Sequence, residues 1–170
     1  ENFDKDSGKW SLGNTSYIQN GELVVGPGAA ASPSIDPQSF SDFIFETRFR
    51  FLDPKSIFSV YLRQTFCPGT PYGNCSDQVG VSTDKSVSAW QPNGTDTYPQ
   101  LLAPTYVPQL NPNDWNKLTV IANGSDFQVF INNIFIRNFN DNSIHKSGIF
   151  TMDADNGSTA FDYLQVYALP

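Results

Sequence analysis

The sequence predicts an all-β fold, a two-sheet antiparallel β-sandwich, and three observations carry that prediction. No window of the 170 residues shows a helical period of apolar side chains; short alternating runs separated by turn clusters take its place. Aromatic residues reach 14%, with 14 Phe and 7 Tyr, and Thr, Val and Ile are frequent beside them, a composition suited to pleated, half-buried surfaces. Twelve Gly and twelve Pro are scattered rather than repeated and supply turns along the whole chain. With 39% hydrophobic and 16% charged residues, the chain can build a sizeable core, and residues 1–170 read as one domain.

The elements follow in order. Residues 17–25 (YIQNGELVV) read as strand, Asn-Gly turn and strand. Residues 26–37 are small and loop-like. Residues 42–51 (DFIFETRFRF) alternate, with Phe43, Phe45, Thr47, Phe49 and Phe51 facing one way and Glu46, Arg48 and Arg50 the other, as in a half-buried strand. Ile57–Phe66 follows with Phe58, Val60 and Leu62 on its apolar parity. Residues 78–82 and 86–91 are short strands about a polar turn, and residues 92–113, rich in Pro, Asn and Thr, read as a long surface excursion. Residues 117–122, 127–131 and 134–138 form a meander whose turns, Asn123-Gly124 and Asn132-Asn133, suit positive φ. Residues 147–153 and Thr159–Ala168 are the closing strands.

Charge and cysteine usage restrict the function. The formal net charge is −7 and the pI about 4.4. Ten Lys plus Arg without a basic run do not supply the cationic surface that nucleic acid or an anionic membrane requires. No apolar run of 18 residues is present, so no membrane insertion is expected. Cys67 and Cys75, in CPGTPYGNC, have the wrong spacing for a CxxC metal pair and are expected to form a disulfide, which implies an oxidising compartment. Five Asn-x-Ser/Thr sequons begin at Asn14, Asn74, Asn93, Asn123 and Asn156. The chain opens at ENFDKDSGKW without a signal peptide and reads as a mature or excised module of a secreted or cell-surface protein.

The order of these segments resembles the concanavalin A-like superfamily of lectins, glucanases and laminin G-like domains. ENFDKDSGKW with NGELVV, DFIFETRFRF with YLRQ, DWNKLTVIANGSDFQVFINN, and SGIFTMD with TAFDYLQVYAL are similar to its successive strands. Within it the chain is most similar to 3-keto-disaccharide hydrolase-type domains and to the fructan-binding family 66 carbohydrate-binding modules. The resemblance implies a jelly roll with one concave face, where relatives hold sugars or protein partners. It also places Trp10 and Trp115 in the core. A calcium ion tying an N-terminal acidic turn to the last strand occurs in the superfamily, so Asp4, Asp6 and Asp162 are candidate ligands of one structural Ca²⁺.

Reactive constellations are sparse. Glycoside hydrolysis generally uses paired carboxylates, yet the glutamates are Glu1, Glu22 and Glu46 alone, and Thr47-Arg48-Phe49 after Glu46 breaks the Glu-x-Asp-x-x-Glu pattern of related glucanases. His145 is the single histidine and lies in a polar turn. Strand parity instead yields a candidate binding face. With Val60, Leu62, Val79, Val81, Val87, Ala89, Phe127, Val129 and Ile131 inward, Tyr61, Arg63, Gln78, Trp90, Gln128 and Phe130 point outward. Tyr72, in the cysteine loop, joins this set at the rim. Aromatic rings and amides of this kind suit a glycan or polysaccharide, because sugar C–H faces stack on rings and hydroxyls pair with polar groups. The alternative packs Trp90 beneath the 92–113 excursion. A non-catalytic carbohydrate-binding module is therefore expected. A protein-binding adhesion or sensor ectodomain facing a surface protein is the first alternative, and a glycoside hydrolase-like enzyme the second.

Overall fold

The computed structural model describes residues 1–5, 7–34, 38–68, 73–95, 98–142 and 146–170. They form a β-sandwich of fourteen strands, all paired antiparallel: β1 (Trp10–Leu12), β2 (Tyr17–Gln19), β3 (Glu22–Val25), β4 (Ala29–Pro33), β5 (Phe43–Phe51), β6 (Ile57–Phe66), β7 (Asn74–Ser82), β8 (Ser86–Trp90), β9 (Gln100–Tyr106), β10 (Asn116–Asn123), β11 (Asp126–Ile131), β12 (Ile134–Asn140), β13 (Ile149–Ala154) and β14 (Thr159–Ala168). Sheet I runs β1-β4-β13-β6-β7-β8-β9 and sheet II runs β12-β11-β10-β5-β14-β3-β2. The crossovers between sheets make it a jelly roll. No helix long and apolar enough to cross a membrane occurs among the described residues.

Alternation builds the interior. Phe43, Phe45, Phe49 and Phe51 of β5 are buried, and the one polar residue in their row, Thr47, donates its hydroxyl to the Tyr163 carbonyl at 2.7 Å. Phe58 from sheet I lies between the sheets, with its ring centroid 4.5 Å from that of Phe49 and 5.3 Å from that of Phe161. Leu23, Val60, Leu62, Val79, Val81, Leu118, Val120, Val129 and Met152 fill the remainder of the layer. The turns take the backbone that their residues permit: Asn20, Gly21, Gly124, Asn132 and Asn133 all have positive φ.

Three expectations change. Residues 26–37 contain a strand, β4, in place of a loop; its run of alanines and Ser has no contrast between faces for alternation to reveal. The 92–113 segment does not lie across the sheet as an excursion. It carries β9, which extends sheet I at its edge by pairing with β8, Ser86 opposite Tyr106 and Trp90 opposite Gln100. Pro104 is accommodated there because an edge strand needs donors on only one side. Trp10 packs on Phe3 and Phe150 as expected, but Trp115 lies outside the core, beneath the guanidinium groups of Arg48 and Arg50 at 4.7 and 4.9 Å.

Phe58 joins the two layers at their centre, as the Phe45–Phe150 pair does elsewhere. Phe58→Ala is expected to lower stability by about 3–5 kcal/mol, because the sheets cannot close over the vacated ring. Urea unfolding of the variant beside the native protein measures it; a loss under ~1 kcal/mol overturns the assignment.

Candidate functional site

Sheet register assembles one candidate site on the outer face of sheet I. Thr151, Tyr61, Gln78 and Trp90 form a row across β13, β6, β7 and β8, because Tyr61 pairs with Thr151 and Gln78, and Gln78 with Trp90. Asp153, Ser59, Gly80 and Ser88 form the neighbouring row. The rows are cross-linked. Tyr61 donates its hydroxyl to Asp153 Oδ2 at 3.4 Å, Gln78 Nε2 donates to Ser59 Oγ at 2.8 Å, and Trp90 Nε1 to Ser88 Oγ at 3.3 Å. The Thr151 hydroxyl donates to Gln64 Oε1.

At the β4 side of these rows the surface sinks into an open groove of about 290 Å³. Ala30, Tyr61, Gln64, Thr151 and Asp153 form its floor, and Asn74, Ser76, Pro92, Gly94 and Tyr98 its rim. The rim is fastened. Ser76 N–H donates to the Pro92 carbonyl at 3.0 Å, Cys75 bridges to Asn93, and Thr95 closes a turn onto Asn93 Oδ1 through its N–H and hydroxyl. Cys67 and Cys75 are disulfide-bonded, with Cα atoms 5.8 Å apart, which ties the end of β6 to the start of β7 beside the rim. Tyr98 is 53% exposed and presents its ring at the groove mouth.

Electrostatics single out one acid. Burial, and then the nearby Asp155 carboxylate, push Asp153 up to about 6, against the lowering effect of the Tyr61 hydroxyl bond. The Tyr61 hydroxyl is held well above its ordinary range by burial first and the two carboxylates next. Asp153 Oδ1 is buried and has no hydrogen-bond partner among the described residues.

The outward set expected from parity divides three ways. Tyr61, Gln78 and Trp90 share this face, with Trp90 half-buried at the β9 side rather than covered. Gln128 and Phe130 belong to β11 and stand on the outer face of sheet II, across the sandwich, where Phe130 packs edge-on against Phe135 at 5.5 Å. Arg63 is not outward at all. A register irregularity between Leu62 and Thr65, with Arg63 at φ 51°, turns its side chain inward until only 2% is exposed. Gly148 marks this bulge, since a Cβ there would collide with the Arg63 and Gln64 carbonyls. Beyond the bulge parity is reset, and Gln64 takes the outward position expected of Arg63. Tyr72, Asp6 and His145 lie outside the described residues. Asp162 pairs with Arg48 at 2.8 Å, and Asp4 accepts a hydrogen bond from Asn2 at 2.6 Å. No group of three or more His, Cys, Asp or Glu side chains suited to a metal forms among the described residues.

Of the groove residues only Tyr61 belonged to the expected binding set; Gln64, Thr151 and Tyr98 were not foreseen, and Asp153 stood out only as part of an acidic turn, Asp153-Ala154-Asp155-Asn156-Gly157, suited to Ca²⁺. Asp153 had a usable signal, being out of phase with Met152 and Ala154 on a closing strand. Tyr98 had none, because its position depends on a loop.

The fold is that of a concanavalin A-like jelly-roll sandwich. The chain belongs to the 3-keto-alpha-glucoside-1,2-lyase-like domain family, whose model matches residues 1–166. No curated protein sequence matches it. Among solved structures it is similar to the carbohydrate-binding module CBM66 from Bacillus subtilis, with a TM-score of 0.70 and 17% identity over 94% of this chain and 96% of that one. A Bacillus subtilis protein of unknown function with a galectin-like fold gives a TM-score of 0.77 at 13% identity, over 98% of this chain and 93% of that one. Bacillus licheniformis beta-glucanase gives 0.70 at 11% identity, over 100% and 97%. At these identities the likeness is one of fold.

The inward Arg63 generates a prediction of its own. Its Nε donates to the Ser41 carbonyl and its Nη2 to the Gly124 carbonyl, both at 2.8 Å, and the guanidinium lies 4.8 Å from the Phe127 ring centroid. Asp77, fully buried, is pushed up to about 8 by burial and then by Asp141, with Arg63 pulling the other way. An acid whose pKa is raised by folding holds its proton more tightly in the folded state. Its stabilising contribution is complete below the ordinary carboxylate range and is lost as pH rises through about 8. Stability is therefore expected to fall between about pH 5 and pH 8.5, and Asp77→Asn to flatten that fall. Arg63→Met is expected to cost about 3–5 kcal/mol, since it leaves buried carbonyls and acids without their cation. Urea titrations across this pH range check both; a flat native profile or a fully stable Arg63→Met protein contradicts them.

Proposed function

We propose that the protein is an extracellular carbohydrate-binding module whose ligand site is the groove of sheet I. The observation that carries this reading is the groove itself: an exposed tyrosine ring at the mouth over a floor of hydroxyl, amide and carboxylate groups. An aromatic face meets the C–H surface of a pyranose or furanose ring, while Gln64, Thr151 and Asp153 offer donors and acceptors to its hydroxyls. Pre-fastening of the rim by the disulfide lowers the ordering cost of binding. The fold likeness to a carbohydrate-binding module and to a galectin-like protein supports the same reading. The disulfide supports an oxidising, extracellular setting.

A second reading has one observation in its favour. The family is described as lyase-like, and Asp153, at about 6, titrates where a general base works well. A 3-keto sugar carries an acidified C–H beside its ketone, which an ionised carboxylate can remove. Against it, Asp153 is the only carboxylate among the described groove residues, so a partner acid for the leaving group is not in place there.

Isothermal titration with neutral oligosaccharides tests the first reading. Tyr98→Ala is expected to weaken binding about tenfold or more, and to leave stability within about 0.5 kcal/mol because the ring is exposed. Unchanged affinity in Tyr98→Ala and in Gln64→Ala removes the groove as the site. Release of free hexose from a 3-keto-disaccharide, abolished in Asp153→Asn, establishes the second reading instead.

A further inference from the structure

The distribution of charge around the groove is one-sided. Asp153 is the one charged side chain among its described lining residues. None of the ten Lys and Arg side chains reaches it. Arg48, Arg50 and Lys117 stand on the outer face of sheet II, Arg63 is interior, and the other six lie in the N-terminal segment, in turns, before β13 and on the far edge strand β12. The residues outside the description include no Lys or Arg either. Among the described residues Asp153 has no cationic partner. Its Oδ2 accepts the Tyr61 hydroxyl and its buried Oδ1 has no partner among the described residues.

A second anion brought into this groove would face a half-buried carboxylate with no cation to compensate either of them. At short range and reduced dielectric such a like-charge encounter is costly. A neutral sugar brings no second charge and meets no such penalty. We propose that Asp153 is the specificity-determining residue of the groove, selecting uncharged oligosaccharides and rejecting uronates and sulfated glycans. This rests on the reading of the groove as a sugar site and names the ligand class within it.

The gate depends on pH. Among the described residues, the titratable groups facing Asp153 are Tyr61 on β6, Asp155 just beyond β13 and, through Tyr61, Tyr98 on the rim; β4 contributes Ala30, which has none. Rejection of acidic sugars is fullest well above about 6, where Asp153 is ionised, and fades as it takes up its proton through that value.

The test uses titration calorimetry on the intact chain. The probes are maltotriose, cellotriose, laminaritriose and 1-kestose, followed by the best binder oxidised at its primary alcohols to the uronate. The readout is the ratio of the two affinities at about pH 7.5 and about pH 5, a change of protonation that a purely steric site would not sense. In the native protein the neutral form is expected to be favoured by at least ~10-fold at the higher pH, and by less at the lower. In Asp153→Asn the ratio is expected to be small at both. Equal affinities in the native protein at the higher pH overturn the gate. So does a ratio that neither acid nor Asp153→Asn alters, which assigns the discrimination to shape. Absence of binding by every neutral sugar is a different result: it removes the sugar reading of the groove and the gate with it.

Discussion

One buried cation organises the end of the sandwich where the groove lies. Arg63 leaves sheet I at a bulge and reaches toward sheet II, where its guanidinium meets the Ser41 and Gly124 carbonyls, Asp42 and the Phe127 ring. Asp42 in turn accepts the Gly124 N–H, so the approach to β5 and the β10–β11 turn are held to the same point. A guanidinium this deep is tolerable only because carbonyls and carboxylates replace the water it has lost. Asp77 and Asp141 extend the polar cluster toward β7 and the segment after β12. The same bulge that sends Arg63 inward delivers Gln64 to the groove floor. Interior electrostatics and surface recognition therefore share one backbone irregularity.

Much of the architecture was legible in the sequence because it depends on period and turn chemistry. The phenylalanine alternation of β5 and the Asn-Gly and Asn-Asn turns specify local conformations that long-range packing has no reason to override. The site was only half legible, and parity reasoning shows where it stops. It placed Tyr61, Gln78 and Trp90 on one face, since no irregularity interrupts the strands up to those residues. It failed at Arg63, where an extra residue resets the alternation. It could not separate Gln128 and Phe130 from the others, because parity gives the side of a strand and says nothing about which sheet the strand joins. The strand in residues 26–37 and the role of Tyr98 depended on small residues and on a loop, neither of which carries periodic information.

The two outer faces of the molecule are chemically distinct. That of sheet II is laced with ion pairs, Arg48 with Asp162, Arg50 with Glu22 and Lys117 with Glu46, and the Lys117 bond holds Glu46 below the usual carboxylate range. That of sheet I is built from hydroxyls, amides, aromatic rings and the Asp153 carboxylate, with hydrogen bonds in place of ion pairs across the groove rows. The chain's net charge of −7 is thus an average over two surfaces that differ in kind.

The sheet margins bear on how the protein behaves in company. Each sheet ends on one side in a strand of only three residues, β1 or β2, too short to template another chain. The longer margin of sheet I, β9, carries Pro104 and breaks register with β8 at two places, so the backbone groups it presents are neither complete nor evenly spaced. β12, the remaining margin, is displaced by a bulge against β11 and carries Arg137. An open sandwich rich in phenylalanine would otherwise be prone to stack edge to edge into fibres. These four margins offer little unbroken backbone for another chain to pair with, although the sandwich does not close into a barrel.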